Sequence, residues 1–350
     1  MRGKFLRAGV AVLASCWFSS VAAQSPPPVD PTQADLAKQQ QQRQQTQPLN
    51  NAPVWKEIRS GIPQTTSLPG RETNVLIQSE GQTWRAVRVP IATVGGALVA
   101  LTLLALLGFY AWRGTIELTH APTGRMIERF NLVRRITHWS VAITFVILGI
   151  TGLILTFGKT LLLPLIGYTL FAWLAILAKN LHNFVGPIFS IVIPVMIVLF
   201  IGRNLPRAYD WDWIRKFGGM LDRSGRTHVP SGKFNAGEKA LFWGMVVVLS
   251  LVLIVSGYVL NFPNFDQTRQ TMQTANLVHM IAAMLATATA LFHIYLGTIG
   301  MRGAYEGMRY GYVDEAWAKE HHEYWYNDVM AGREPRGSVS APAVIRHKTA

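Results

Sequence analysis

Five stretches of this chain carry no Asp, Glu, Lys or Arg: Val89–Trp112, Ile136–Gly158, Asn180–Gly202, Ala240–Phe265 and Gln270–Met301. A helix that crosses the hydrocarbon core of a bilayer needs about 20 such residues, and every backbone polar group within it must be bonded internally. The composition agrees, since 50% of the residues are hydrophobic and only 15% are charged, against about a quarter in soluble domains. The expected fold class is all-α, a polytopic membrane helix bundle of five transmembrane helices. The spans are expected over 91–112, 137–157, 180–200, 241–261 and 274–299. A further apolar stretch, 161–177, is interrupted by Pro164 and Gly167 and reads as an interfacial helix.

The first residues read as an export signal. Arg2, Lys4 and Arg7 precede an apolar run from Ala8 to Phe18, and Val21, Ala22 and Ala23 offer a small-residue cleavage site before Gln24. Residues 1–23 are therefore expected to be a signal peptide. Leu13, Ala14, Ser15 and Cys16 also resemble a lipoprotein box, so lipidation of Cys16 stays open. Residues 24–90 are expected to be an outer, low-order segment, rich in Pro and Gln at its start. Trp84, Val87 and Val89 suggest short extended pieces near the membrane. Cys16 is the single cysteine of the chain. A mature chain without the leader then has no disulfide, no thiolate nucleophile and no cysteine ligand for iron–sulfur clusters or covalent haem. Any redox role must fall to histidines.

The 33 basic residues outnumber 19 acidic ones, a formal charge of +14. Their placement reads as membrane topology and not as nucleic-acid binding. Loop 113–135 holds Arg113, Arg125, Arg129, Arg134 and Arg135, loop 203–239 holds eight Lys and Arg, and residues 302–350 add more. Loop 262–273 has only Arg269, and 158–179 only Lys159 and Lys179. Positive loops stay on the cytoplasmic side. A bacterial inner-membrane protein is expected, its N-terminal segment periplasmic and its C-terminal tail, 302–350, cytoplasmic.

Four histidines lie in the spans at matched depths. His138 and His293 fall towards the cytoplasmic ends of their helices, His182 and His279 towards the outer ends. His279 and His293 share one helix, about 21 Å apart in rise and within about 40° of four whole turns, so they face the same interior. Buried histidines in lipid are expensive without partners. The pairing by depth offers axial ligands to two b-type haems, an inner one at His138/His293 and an outer one at His182/His279. Zinc fits poorly, because two histidines at each depth lack the further acids or cysteines of a tetrahedral site. A proton-relay transporter is disfavoured, since no Asp or Glu lies within any expected span. Gly149, Gly152, Gly186 and Gly257 would leave room for a flat macrocycle, though small residues are also ordinary at helix contacts. Arg134 and Arg135 stand where they would meet haem propionates or simply obey the charge rule. His321 and His322, beyond the last span, read as surface packing.

Residues 125–330 resemble the gamma subunit of the membrane-bound formate dehydrogenases, a di-haem cytochrome b. The resemblance rests on the histidine order, on the run Phe234, Asn235, Ala236, Gly237, Glu238, Lys239, and on two tail segments. These are Gly303–Met308 and the stretch Trp317–Tyr326 that contains His321 and His322. It implies a four-helix di-haem core over 125–301. It also implies a quinone pocket bordered by Asn235, Gly237, Glu238 and Lys239, with Glu238 where the family pattern has Gln. A periplasmic iron–sulfur (beta) subunit and a molybdopterin-containing catalytic (alpha) subunit would be the partners, with membrane lipid and the quinone pool around them. Formate would be oxidised by the catalytic partner and not by this chain, which is then a subunit of a formate:quinone oxidoreductase. The leader and the span 91–112 resemble a long form of the subunit. A cytochrome b of a nickel–iron hydrogenase or a thiosulfate reductase shares the same histidine chemistry, and a haem-free membrane anchor is the other class of reading.

Overall fold

The computed structural model describes residues 79–336 except 224–226 and 266, together with Lys38, Gln42, Arg59 and Ser60. The expected signal peptide, the alternative at Cys16 and most of segment 24–90 lie outside the described residues. The chain divides into two units, Met1–Gln82 and Thr83–Ala350. The second unit is the membrane bundle. Its described residues include five helices long and apolar enough to cross a membrane: Thr83–Arg113, Leu132–Leu161, Leu163–Arg203, Ala236–Asn261 and Arg269–Gly300. The chain is thus an all-α polytopic membrane bundle, with one small strand pair outside the spans.

Helix α1 (Ser79–Arg113) takes in Trp84, Val87 and Val89, so the extended pieces expected there are corrected to helix. Pro90 lies inside it, as membrane helices tolerate. Its neighbours are met through two adjacent glycines. A Cβ on Gly95 would stand 2.6 Å from Met284 Cγ, and one on Gly96 would stand 2.9 Å from Phe157 Cζ. Only hydrogen at these positions lets the helices come this close.

Helix α2 (Leu132–Leu161) is capped by Asn131, whose side chain accepts from the Arg134 N–H, and is followed after Leu162 by helix α3 (Leu163–Phe200). The separate interfacial helix expected over 161–177 is not formed. Gly167 alone leaves helical geometry, at φ 75°, and the helix runs on from Tyr168 to the end of the span. Pro164 sits in the first turn, where a missing N–H breaks no helical bond. Deeper in α3, Pro187 has no N–H for the Asn183 carbonyl, and Asn261 Nδ2 donates to that carbonyl at 3.3 Å.

Helix α4 (Asp210–Arg215) lies in the long loop. Helix α5 (Ala236–Leu241) begins with a reciprocal capping box: Asn235 Oδ1 accepts from Glu238 N, and Glu238 Oε2 accepts from Asn235 N. A π-helical stretch, Phe242–Leu249, joins it to helix α6 (Ser250–Asn261), and Ser250 Oγ donates five residues back to Met245 O. Helix α7 (Arg269–Tyr295), capped by Thr268, ends in a second π stretch, Leu296–Gly300. The bundle core gathers Phe130, Phe189, Ile193, Phe200, Phe242 and Val246.

The chain beyond the last span folds back on the start of α2. After helix α8 (Ala304–Arg309), strand β2 (Tyr312–Asp314) pairs antiparallel with β1 (Met126–Glu128), Ile127 opposite Val313. Helices α9 (Glu315–His321) and α10 (Glu323–Met330) then close a second core of Ile127, Val313, Trp317, Ala318, Trp325 and Val329. This tail is built structure at the end where α2 starts and α7 finishes.

Candidate functional site: two histidine pairs and a cavity

The four span histidines meet as two pairs. His182 on α3 faces His279 on α7, with ring centroids 6.1 Å apart and planes at 73°. His138 on α2 faces His293 on α7 at 6.0 Å and 64°. A metal–nitrogen bond of about 2 Å on each side, plus roughly 1 Å from nitrogen to ring centre, puts two axial imidazoles about 6 Å apart. Both pairs have that spacing. Among the described residues, no cluster of three or more His, Cys, Asp or Glu surrounds either pair. Two imidazoles leave a bare ion short of a tetrahedral set, whereas a porphyrin supplies four nitrogens of its own. The donor set fits a haem at each depth.

The 182/279 pair is oriented by hydroxyls from neighbouring helices. Thr151 Oγ1 donates to Ile147 O at 2.7 Å and lies 2.9 Å from His182 Nδ1. Ser256 Oγ donates to Val252 O at 2.5 Å and lies 2.9 Å from His279 Nδ1. Each hydroxyl has committed its single proton to a carbonyl, so it accepts from the ring Nδ1–H. That leaves Nε2 of each ring with its lone pair free. The next residue in each helix is glycine: a Cβ on Gly152 or Gly257 would stand 3.4 Å from the Cε1 of the same ring. The two flanks are thus matching Thr-Gly and Ser-Gly steps on α2 and α6. Around Gly149 and Gly186 a Cβ would meet nothing within 4 Å.

The 138/293 pair opens on a cavity of about 1440 Å³. A site for one drug-sized ligand takes about 300–1,000 Å³, so this space exceeds the needs of a single small molecule. Its walls include Phe130, Asn235, Gly237 and Glu238, with both π stretches and the tail helices α9 and α10. His138 Nδ1 is buried without a partner among the described residues, and the Trp139 ring stands edge-on at 5.4 Å.

A family model described as prokaryotic cytochrome b561 matches residues 129–310, more than half of the chain. The chain belongs to that family. Its relatives include two cytochrome b556 subunits of formate dehydrogenases from Escherichia coli strain K12. The nitrate-inducible (Fdn) subunit is 28% identical over 213 residues, 59% of this chain and 92% of the relative. The fdo subunit is 29% identical over 215 residues, 60% of this chain and 96% of the relative. The formate dehydrogenase cytochrome b556 subunit of Haemophilus influenzae is 27% identical over 215 residues, covering 59% and 85%. Helix α1 lies outside the matched family region.

In this cytochrome b561-family protein, three of the four residues expected at a quinone pocket line the cavity: Asn235, Gly237 and Glu238. Lys239 is corrected. Its Nζ turns away to Asp210, 2.9 and 2.8 Å from the two carboxylate oxygens, and lies over the Tyr209 ring. Adjacent positions of a helix point about 100° apart, so Glu238 faces the cavity while Lys239 meets the buried Asp210. Trp213 of α4 presses on Gly237, where a Cβ would stand 2.7 Å from Cη2. The guanidinium groups of Arg134 and Arg135 donate to the carbonyls of Leu199, Met308 and Arg309.

The tail histidines were expected at the surface, and His322 is fully buried. Arg129, itself 4% exposed, explains why. Its Nη2 donates to Glu238 Oε1 at 2.8 Å, to Lys233 O at 3.2 Å and to His322 Nε2 at 3.0 Å. A guanidinium only donates, so His322 Nε2 accepts and its Nδ1–H donates to Gly232 O at 2.7 Å. Burial, reinforced by the Arg129 charge, holds His322 well below its ordinary range. Burial likewise pushes His321 down to about 4, with Glu320 opposing and Arg129 and His228 assisting. Both rings fold in the neutral form, so their contribution to tail stability is whole above the unfolded value near 6.5. It is lost as pH falls from there through the depressed folded values, about 4 for His321. Hydrogen exchange over residues 304–330 is expected to accelerate across that window while the spans stay protected; protection unchanged down to pH 4 would contradict it.

Proposed function

We propose that this chain is the membrane cytochrome b subunit of a respiratory formate dehydrogenase, carrying two b haems between an outer electron donor and an inner quinone site. The observation that carries the reading is the paired spacing, 6.1 and 6.0 Å between imidazole centroids at two depths of one bundle. The likeness to three formate dehydrogenase cytochrome b556 subunits supports the choice of complex.

His182 and His279 would hold the outer haem through the Nε2 lone pairs that Thr151 and Ser256 leave free. His138 and His293 would hold the inner one. Bound there, the two haems would supply one-electron steps across the hydrocarbon layer. The protein contributes the rest: ring orientation, a dry interior and a ligand chamber beside the inner pair. Asn235, Gly237 and Glu238 would border the quinone in that chamber, with the Glu238 carboxylate anchored by Arg129 and by the Asn235 N–H. The basic loops support a chamber on the cytoplasmic side of the inner membrane and a 182/279 pair on the periplasmic side. An iron–sulfur subunit would dock outside, and a molybdopterin-containing subunit would oxidise formate. Charge would separate because electrons move inward and the quinone draws its protons from the cytoplasm.

The test is a reduced-minus-oxidised optical spectrum of the purified complex with haem counted per chain. Two non-covalent b haems are expected. An intact complex without haem would overturn the reading in favour of a simple membrane anchor. A finer check concerns the hydroxyls. Thr151→Val and Ser256→Ala should each keep the haem but weaken outer-site affinity by about 10–100-fold, as lost partners of metal-bound histidines do. Haem retention on dilution measures it, and retention equal to the parent would rule out the orienting role.

A further inference from the structure

Two N–H groups in the cavity wall have no acceptor among the described residues: Arg129 Nε and Trp317 Nε1. Both are buried, Arg129 at 4% and Trp317 at 2% exposure, and native proteins rarely leave buried donors unmet. They also lie together, since the Arg129 guanidinium carbon stands 4.7 Å over the Trp317 ring. Neither can turn away. The adjacent Nη2 of Arg129 is held by Glu238, Lys233 and His322. Trp317 is wedged between that guanidinium and Gly303, where a Cβ would stand 2.6 Å from Cδ1. Arg and Trp nitrogens of this kind donate and never accept. The ligand they await therefore presents oxygen acceptors.

The charge state selects among such ligands. The Arg129 charge is already met by Glu238 at 2.8 Å. A carboxylate or phosphate here would be a second anion beside one buried cation, and a buried charge without its own partner is strongly unfavourable. A neutral carbonyl needs the two N–H groups and no further charge. The neighbouring aromatic wall, Phe130 and Phe234, suits a flat uncharged ring.

We propose that Arg129 Nε and Trp317 Nε1 donate to carbonyl oxygen of a quinone in this cavity, making the C-terminal helix α9 part of the substrate site. The inference rests on the reading that the cavity beside His138 and His293 takes a quinone. It adds residues far in sequence from Asn235, Gly237 and Glu238, and gives the tail a part in choosing the ring.

The native complex with decylubiquinone as acceptor provides the test. Trp317→Phe keeps an aromatic ring against Arg129 and removes the N–H together with part of the indole's volume. The infrared band, which packing loss alone would not move, is therefore read beside KM. The KM for decylubiquinone should rise about five- to tenfold, the loss of roughly one hydrogen bond. The kcat should stay within about twofold, and both haem bands and midpoint potentials should not move. Infrared difference spectra of the wild-type complex should show the quinone C=O stretch below its free value, and the variant should return it part of the way. An unchanged KM with an unchanged C=O band means these donors meet only water, and overturns the proposal. A shifted inner-haem potential with unchanged KM assigns them to a haem carboxylate, and overturns it too. If the wild-type complex neither reduces nor binds decylubiquinone, the quinone reading itself fails and takes the proposal with it.

Discussion

Replacing His182 with Ala is expected to halve the haem content of the purified protein, from two per chain to about one, because the proposed outer site loses one of its two imidazole ligands and the orientation it gives. His138→Ala should do the same to the other haem, leaving the opposite spectral component intact. The two rings sit in different helices and pair with different ends of α7, so the losses should be independent. Loss of both haems in either variant would mean that the sites do not form separately. Retention of both would mean that the 6.1 and 6.0 Å pairs are not ligand pairs at all.

Asp210→Asn is expected to destabilise the fold by about 3–5 kcal/mol, the usual result of leaving one member of a buried ion pair alone. Lys239 Nζ reaches both Asp210 oxygens, and the two side chains are only 6% and 11% exposed. Asp210 Oδ2 also accepts from the Arg207 N–H at 2.7 Å, so the carboxylate ties the loop as well as the lysine. Thermal unfolding in detergent measures the effect. The double variant Asp210→Leu with Lys239→Met should lose less than Asp210→Asn, since no charge is stranded. A single-variant loss below about 1 kcal/mol would place the pair among solvent-screened ones.

The membrane class and the four histidines were legible in the sequence for one physical reason. Lipid tolerates neither charge nor unbonded backbone, so the spans stand out as uncharged runs and any histidine inside them is conspicuous. Helical rise and rotation then place His279 and His293 on one face without further information. What escaped reading has equally definite causes. Thr151 and Ser256 are unremarkable in sequence, because hydroxyls in helices commonly bond their own preceding carbonyl. They do so here while also accepting from a ring on another helix. The matched Thr-Gly and Ser-Gly steps were the available signal. Pro164 and Gly167 read as breaks: Gly167 is one, at φ 75°, though helix resumes at Tyr168 and runs on through the span, whereas Pro164 only occupies a first turn.

Outside the spans, charge misleads. Arg129 and Lys239 look like surface residues by type, and only the fold brings Glu238, His322 and Asp210 to neutralise or accept from them. The strand pair Met126–Glu128 with Tyr312–Asp314 joins two three-residue segments from opposite ends of the core, too short for any alternation to register. Once that pairing is missed, the tail looks like an appendage.

Chain order divides the labour in this molecule. Every span histidine has been translated by residue 293, whereas Trp317, His321 and His322 of the cavity wall come later, on helices that depend on the β1–β2 pairing to be held in place. On the function proposed above, the residues for conduction would be complete before the tail is made, while the chamber would draw its wall from both stretches, the early Arg129, Asn235 and Glu238 and the late Trp317 and His322. Exchange of the last fifty residues between homologues would then change part of what the chamber accepts and leave every span histidine in place.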